Sequence, residues 1–281
     1  MKYGITIFPT EYTAPPDELG RQIEARGFES VWFPEHTHIP AARQSAWAGG
    51  PELPREYYHS LDPFVACTAA AVATKELKVG TGICLIVQRH PITTAKAVAS
   101  IDQISNGRFM FGIGGGWNWE EVAHHGTNFK TRFRLLRERV LAMKQLWTQE
   151  QAEYHGQFVD FDASIMNPKP VQKPHPPIYM GGDGPTTFDR VLEFCDGWFP
   201  IARGSLPAGL AGKVIDLRRR AEAAGRDPDA LAVSVFNCPA TPEAVEEATR
   251  AGVDRIIFPV KPTEDIPFVW QALDERASLM H

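Results

Sequence analysis

Three short stretches of the sequence combine residue types that can do chemistry. Glu35-His36 sets a carboxylate beside a ring that titrates near neutral pH and can give or take a proton; a hydrogen-bonded structural histidine is the other reading. Gly181-Gly182-Asp183-Gly184-Pro185 runs into a helical pattern through Thr186, with Pro185 placed as the first helical residue. Backbone amides at such a junction suit an anion such as phosphate, although a plain tight turn uses glycines in the same way. Gly112-Ile113-Gly114-Gly115-Gly116-Trp117 leaves bare backbone beside Trp117 and Trp119. It lacks the third glycine of a dinucleotide fingerprint, because Trp117 stands there. A flat ring with a phosphate-bearing tail fits these two glycine stretches together.

Weaker candidates are Glu11, after the first strand, and His124-His125, expected on a polar loop. His36-Thr37-His38 also has the look of a two-histidine metal arm, which would suit a barrel hydrolase. Such a site needs three or more converging ligands, and the later strands end in glycines, Pro200 and Pro259. No metal ligand set is therefore assigned.

The elements that must position these residues alternate along the chain. Strand-like runs at 2–8, 30–34, 77–85, 108–113, 177–180, 197–201, 231–236 and 255–260 are followed by helical patterns at 16–26, 63–74, 91–104, 131–148, 185–194, 210–224, 242–251 and 266–279. Alternation of this kind demands a parallel sheet with right-handed crossovers, and eight units can close it into a single-domain (β/α)8 TIM barrel over residues 1–281. Two excursions exceed a tight connection: 35–61, rich in Pro, Gly and aromatics, and 150–176, where Glu153 to Phe158 reads as a turn between short strands. Each reads as a lid or as a passive surface excursion.

Composition narrows the class further. A chain with 29 basic and 34 acidic residues gives no electrostatic reason to bind nucleic acid or an anionic membrane, so a small molecule is the expected ligand. Cys67, Cys84, Cys195 and Cys238 show no metal-ligand spacing and read as buried thiols of a reducing cytoplasm. Neither the N-terminal apolar run nor 64–73 is long enough for a signal peptide or a membrane span. The small-residue face Ala66, Ala69, Ala70 and Ala73 permits close helix approach, which suits either core packing or a homodimer.

In this order, one motif per strand end, the sequence resembles the luciferase-like monooxygenase superfamily, and more closely its branch using coenzyme F420, an 8-hydroxy-5-deazaflavin. The similarity is carried by Gly27-Phe28 with Val31 to His36, by Val79 to Ile83, by Arg108 to Glu121 and by Pro176 to Gly182. The resemblance implies a cis peptide at Gly82-Ile83 backing the ring, Glu35 as the cofactor-contacting acid and His36 as the active-site histidine. It places the cofactor tail on Gly115, Gly116, Glu120, Asp183, Gly184 and Thr186, beside Gly181 and Gly182. It also implies a homodimer.

The implied activity is hydride transfer between F420 and a small organic substrate. The alternatives are an FMN-dependent monooxygenase served by a separate reductase and a non-catalytic flavin-binding relative. The similar deazaflavin-dependent glucose-6-phosphate dehydrogenases carry a catalytic glutamate where Trp117 stands and an asparagine where Glu120 stands, so sugar-phosphate oxidation by their relay is not expected.

Overall fold

A computed structural model describes residues 1–280, so that His281 lies outside the described residues. Eight parallel strands form the closed barrel: β1 (Lys2–Thr6), β2 (Ser30–Phe33), β3 (Lys78–Cys84), β4 (Phe109–Ile113), β7 (Ile178–Gly181), β8 (Gly197–Phe199), β9 (Ala232–Phe236) and β10 (Arg255–Pro259). Their order around the barrel is β1-β10-β9-β8-β7-β4-β3-β2, so each neighbours its sequence neighbour and β10 closes on β1. Strands β2, β4 and β7 are buried at every residue, as a parallel sheet covered on both faces requires.

The helices begin where the chain supplies a cap or a proline. Pro16 opens α1 (Pro16–Ala25), and Gly27, at φ +80°, turns the chain back towards β2. Asp62 caps α2 (Pro63–Ala73) by accepting from the Phe64 and Val65 amides. Next come α3 (Pro91–Ile104), α4 (Trp119–His124) and α5 (Arg132–Thr148). After the antiparallel pair β5 (Ala152–His155) and β6 (Asp160–Ser164), the chain continues through α6 (Thr187–Phe194), α7 (Leu210–Ala223), α8 (Pro242–Arg250) and α9 (Ile266–Ala277).

Inside the barrel Trp32, Met110, Tyr179, Phe199, Phe236 and Ile257 form their own packed layer. Below it, at the N-terminal ends of the strands, the Arg255 guanidinium bonds both Glu29 oxygens at 2.8 and 2.9 Å and Ser234 Oγ at 2.9 Å. Lys78 reaches the same carboxylate at 2.9 Å. This end is sealed by charge pairing, which leaves the opposite mouth for ligands.

Two expectations need correcting. Trp119–His124 is a helix, α4, where the sequence reads as a loop; His124 is its last residue and His125 its C-cap. Pro185 is not helical, since α6 starts at Thr187 with Thr186 as N-cap. Ala66 and Ala70 are buried, and the close approach they allow is to α1, where a Cβ on Gly20 would lie 3.2 Å from Ala70. Of that face, Ala66 and Ala70 are thus used within the chain, while Ala69 and Ala73 are half-buried. The 150–164 hairpin packs Val159 against Leu135 and Ala142 of α5, outside the barrel, and so favours the passive reading of that excursion. The four cysteines are free and buried. No helix among the described residues is long and apolar enough to cross a membrane.

Candidate active site at the barrel mouth

His36 follows β2 and is held from several sides. Its Nδ1 lies 2.7 Å from Glu121 Oε2, with the two side chains only 6% and 0% exposed. Glu121 also accepts from the Thr37 amide at 3.2 Å, and Ser60 donates to the His36 carbonyl at 3.2 Å. Tyr57, from the 35–61 excursion, tilts against the His36 ring at 5.1 Å, and Trp117 meets it edge-on at 5.8 Å. Burial pushes the Tyr57 phenol up, so this ring stays neutral near physiological pH. A carboxylate at Nδ1 favours the tautomer with the proton on that nitrogen and leaves Nε2 as the acceptor. Nε2 has no protein partner and is not sealed from solvent. His36 also lines a cavity of about 190 Å³, together with Glu35, Ser60, Asp62 and Arg89.

Glu35 is buried, but protein donors hold its carboxylate: the Leu85 amide at 2.6 Å and the Arg89 guanidinium at 2.5 Å. Arg89 bridges on to Asp62, the cap of α2. Glu35 therefore braces the segment after β3 against β2 and the start of α2. Glu120 is similarly engaged, accepting from the Gln44 amide and from the Ser45 amide and hydroxyl, which fastens the 35–61 excursion to α4 over the mouth. Burial alone would raise the Glu120 pKa, but these hydrogen bonds outweigh it and hold the group below the usual carboxylate range. Glu11 is exposed and hydrogen-bonded to His59 at the rim, apart from the His36 cluster. Its own backbone and His59 lower its pKa.

The glycine stretches lie around the same mouth. The Gly82-Ile83 peptide is cis, and the β3–β4 register shifts between Thr81 and Cys84. Ile83 packs so closely on Gly114 and Gly181 that a Cβ at Gly114 would lie 2.0 Å from its Cδ1. Gly116 takes φ +69°, a conformation few other residues adopt. At the other cluster the space beside Gly184 is open, the nearest atom to an added Cβ being Thr187 Oγ1 at 3.7 Å. Thr186 makes no side-chain cap bond; the Thr187 amide donates to the Gly184 carbonyl at 3.0 Å, which leaves the amides of Phe188 and Asp189 without a backbone acceptor among the described residues. The Asp183 carboxylate is neutralised by Lys213 at 2.7 Å, which removes its conflict with a neighbouring anion. Asn118 Nδ2, next to Trp117, is buried without an acceptor. Bare backbone, an uncapped helix start and an orphan donor fit a ring-bearing cofactor with a phosphate tail.

Glu121 is the partner of His36 that sequence reasoning misses. Asn118-x-x-Glu121 has the spacing of a capping box, and Asn118 does accept from the Glu121 amide at 3.1 Å, but the Glu121 carboxylate turns to His36 and Thr37. His36 and His38 go to different partners, His38 Nε2 lying 2.8 Å from His124 Nδ1 on the rim. Among the described residues no group of three His, Cys, Asp or Glu side chains is arranged to hold a metal.

The fold is a parallel (β/α)8 barrel whose candidate site residues follow the C-terminal ends of its strands. The chain belongs to the luciferase-like monooxygenase family, whose sequence model matches residues 10–272. It is 37% identical to an uncharacterised protein of Mycobacterium tuberculosis over 92% of this chain and 91% of that one. The FMNH(2)-dependent dimethylsulfone monooxygenase of Pseudomonas putida is 32% identical over 69% of this chain and 52% of its own length. The F420-dependent hydroxymycolic acid dehydrogenase of M. tuberculosis is 29% identical over 74% and 54%. The chain thus spans about half the length of these last two. Among solved structures, the monooxygenase RslO1 of Streptomyces bottropensis superposes with a TM-score of 0.80 at 22% identity, covering 100% of this chain and 98% of that one. Family members thus include flavin-dependent and F420-dependent enzymes.

Proposed function

We propose that this chain is an oxidoreductase that moves a hydride between coenzyme F420 and a small organic substrate, with His36 handling the accompanying proton. The observation that carries the reading is the His36–Glu121 pair, a ring with Nδ1 held on a buried carboxylate in a residue that lines the cavity. When bound, the deazaflavin supplies a carbon centre that gives or accepts hydride. Gly82 and Ile83 would back its ring, Gly115 and Gly116 would line its path, and Gly184 with the Phe188 and Asp189 amides of α6 would receive its phosphate. Glu121 keeps the His36 ring in one tautomer and stabilises the charge that forms on it. Tyr57 and Trp117 cover the ring and restrict water. Glu35 and Glu120 act at one remove, bracing the segment after β3 and clasping the covering excursion.

Support for F420 over FMN comes from the branch resemblance and from the F420-dependent relative. Equilibrium titration is expected to show tighter binding of F420 than of FMN; micromolar FMN binding with no detectable F420 binding sinks the assignment and leaves the family intact. The FMNH(2)-dependent relative favours a second reading, a monooxygenase fed reduced flavin by a partner reductase. A homodimer enters this proposal through the resemblance alone.

Gly184→Val tests the cradle. Because no protein atom crowds an added Cβ and no positive φ is recorded there, the fold should tolerate the change with thermal stability close to wild type. Cofactor affinity should nevertheless fall by about 10-fold or more, since the side chain stands where amides meet the anion. Unchanged affinity in a titration removes the cradle from this site.

A further inference from the structure

Arg132, the first residue of α5, and Arg190, on α6, hold like charges around one ring without an acid to balance them. The Arg132 guanidinium carbon lies 4.4 Å from the Phe133 centroid and 3.6 Å from that of Phe129, and the Arg190 carbon lies 3.8 Å from the Phe133 centroid. The two charges are therefore within about 8 Å of each other, one Debye length at physiological salt. Arg132 donates through Nη1 to the Phe129 carbonyl at 2.8 Å, while its Nε is buried and donates to nothing. Among the described residues neither guanidinium has a carboxylate within 4.0 Å. Nearby cations are treated differently: Arg137 pairs with Glu193, Lys213 with Asp183 and Arg220 with Asp216. Burial lowers both arginine pKa values, and Arg190 lowers that of Arg132 further.

Their place in the fold gives the pair a use. The Phe133 ring lies 2.7 Å from where a Gly115 Cβ would stand, and Arg190 is the fourth residue of α6, the helix that follows the second glycine stretch. The pair thus lies beside Gly115 of the first stretch and one helical turn beyond the second. Two half-buried guanidiniums left without counter-charge repel each other until an anion joins them, and their forked donors suit carboxylates and phosphates.

We propose that Arg132 and Arg190 form an anion clamp that takes the acidic tail of the cofactor beyond its phosphate. The inference rests on the F420 reading. FMN ends at its phosphate, whereas the F420 side chain continues from its phosphodiester into glutamate carboxylates, so the clamp makes the protein selective for the longer cofactor.

The test titrates wild type, Arg132→Gln, Arg190→Gln and the double variant with glutamylated F420, with the same deazaflavin lacking its glutamates, and with FMN. Wild type should favour the glutamylated form by about 10-fold or more, the scale of a charge-assisted hydrogen bond. The double variant should lose that preference and part of its salt dependence. A second readout needs no cofactor. Sulfate should raise the melting temperature of wild type more than that of the double variant, and in low salt Arg190→Gln should be no less stable than wild type, because it relieves repulsion. Wild-type discrimination or an undiminished sulfate response in the double variant overturns the clamp while F420 binding stands. Failure of wild type to bind either deazaflavin overturns the cofactor reading and the clamp's carboxylate assignment with it.

Discussion

Replacing His36 with alanine is expected to lower turnover by about 10²-fold or more, the usual scale for a lost acid–base group, while cofactor affinity stays within several-fold. The separation follows from position. His36 belongs to the end of β2 and is tied to Glu121, whereas the residues assigned to the cofactor tail lie after β4 and β7. Glu121→Gln sharpens the test, because an amide can donate to Nδ1 as well as accept from it and so permits the tautomer that puts the proton on Nε2. A loss of about 10-fold or more is expected on that ground. If Glu121 works through His36, the double variant should be hardly slower than His36→Ala, since two residues acting as a unit are not additive. Full turnover by His36→Ala makes the histidine structural and moves the search to Glu11 or to 37–61.

The barrel was legible because its punctuation is local. Pro16, Pro63, Pro91 and Pro242 open helices, and Gly27, Asn106 and Gly107 adopt positive φ at turns, so that strand and helix periods alternate cleanly between them. Boundaries moved by a residue or two, as at β3 and α6, where strand ends fade into the mouth. The miss of α4 has a different origin. Six residues give too short a window for helical periodicity, and Trp119-Glu120-Glu121 reads as a solvated loop when both of its carboxylates are in fact buried.

What each of those carboxylates does depends on partners far along the chain. Glu121 meets His36 across 85 positions and Glu120 meets Ser45 across 75, and no spacing rule links them. Glu35 shows the same limit from the other side: its position at a strand end was readable, but its engagement by Arg89, 54 residues on, was not. Residue type and strand-end position thus identified the neighbourhood of the site. The closure of the barrel decided which acid reaches which base.

Closure of the barrel floor supplies the largest expected effect on stability. Glu29, Arg255 and Lys78 meet at the start of β2, β10 and β3, and the Arg255 side chain is 3% exposed against 20% for Glu29. Burial would raise the Glu29 pKa, but Arg255, and then Lys78, outweigh it and lower the group from 4.5 to about 2. A carboxylate depressed on folding stabilises the folded state fully above its unfolded pKa, so this contribution is complete above pH 4.5, declines as the pH falls, and is gone below about pH 2. A shift of this size corresponds to about 3 kcal/mol. Glu29→Gln should therefore lose about 3 kcal/mol at pH 7, measured by urea denaturation, because it also leaves Arg255 buried and without its counter-charge. The gap from wild type should narrow between pH 4.5 and 2. Replacing Glu29 with leucine and Arg255 with methionine together should recover much of the loss, since burying an unpaired charge costs more than an apolar pair does. A Glu29→Gln penalty that is small at pH 7, or that does not change with acid, would show that the floor is held by the packing of Trp32 and Tyr179 alone.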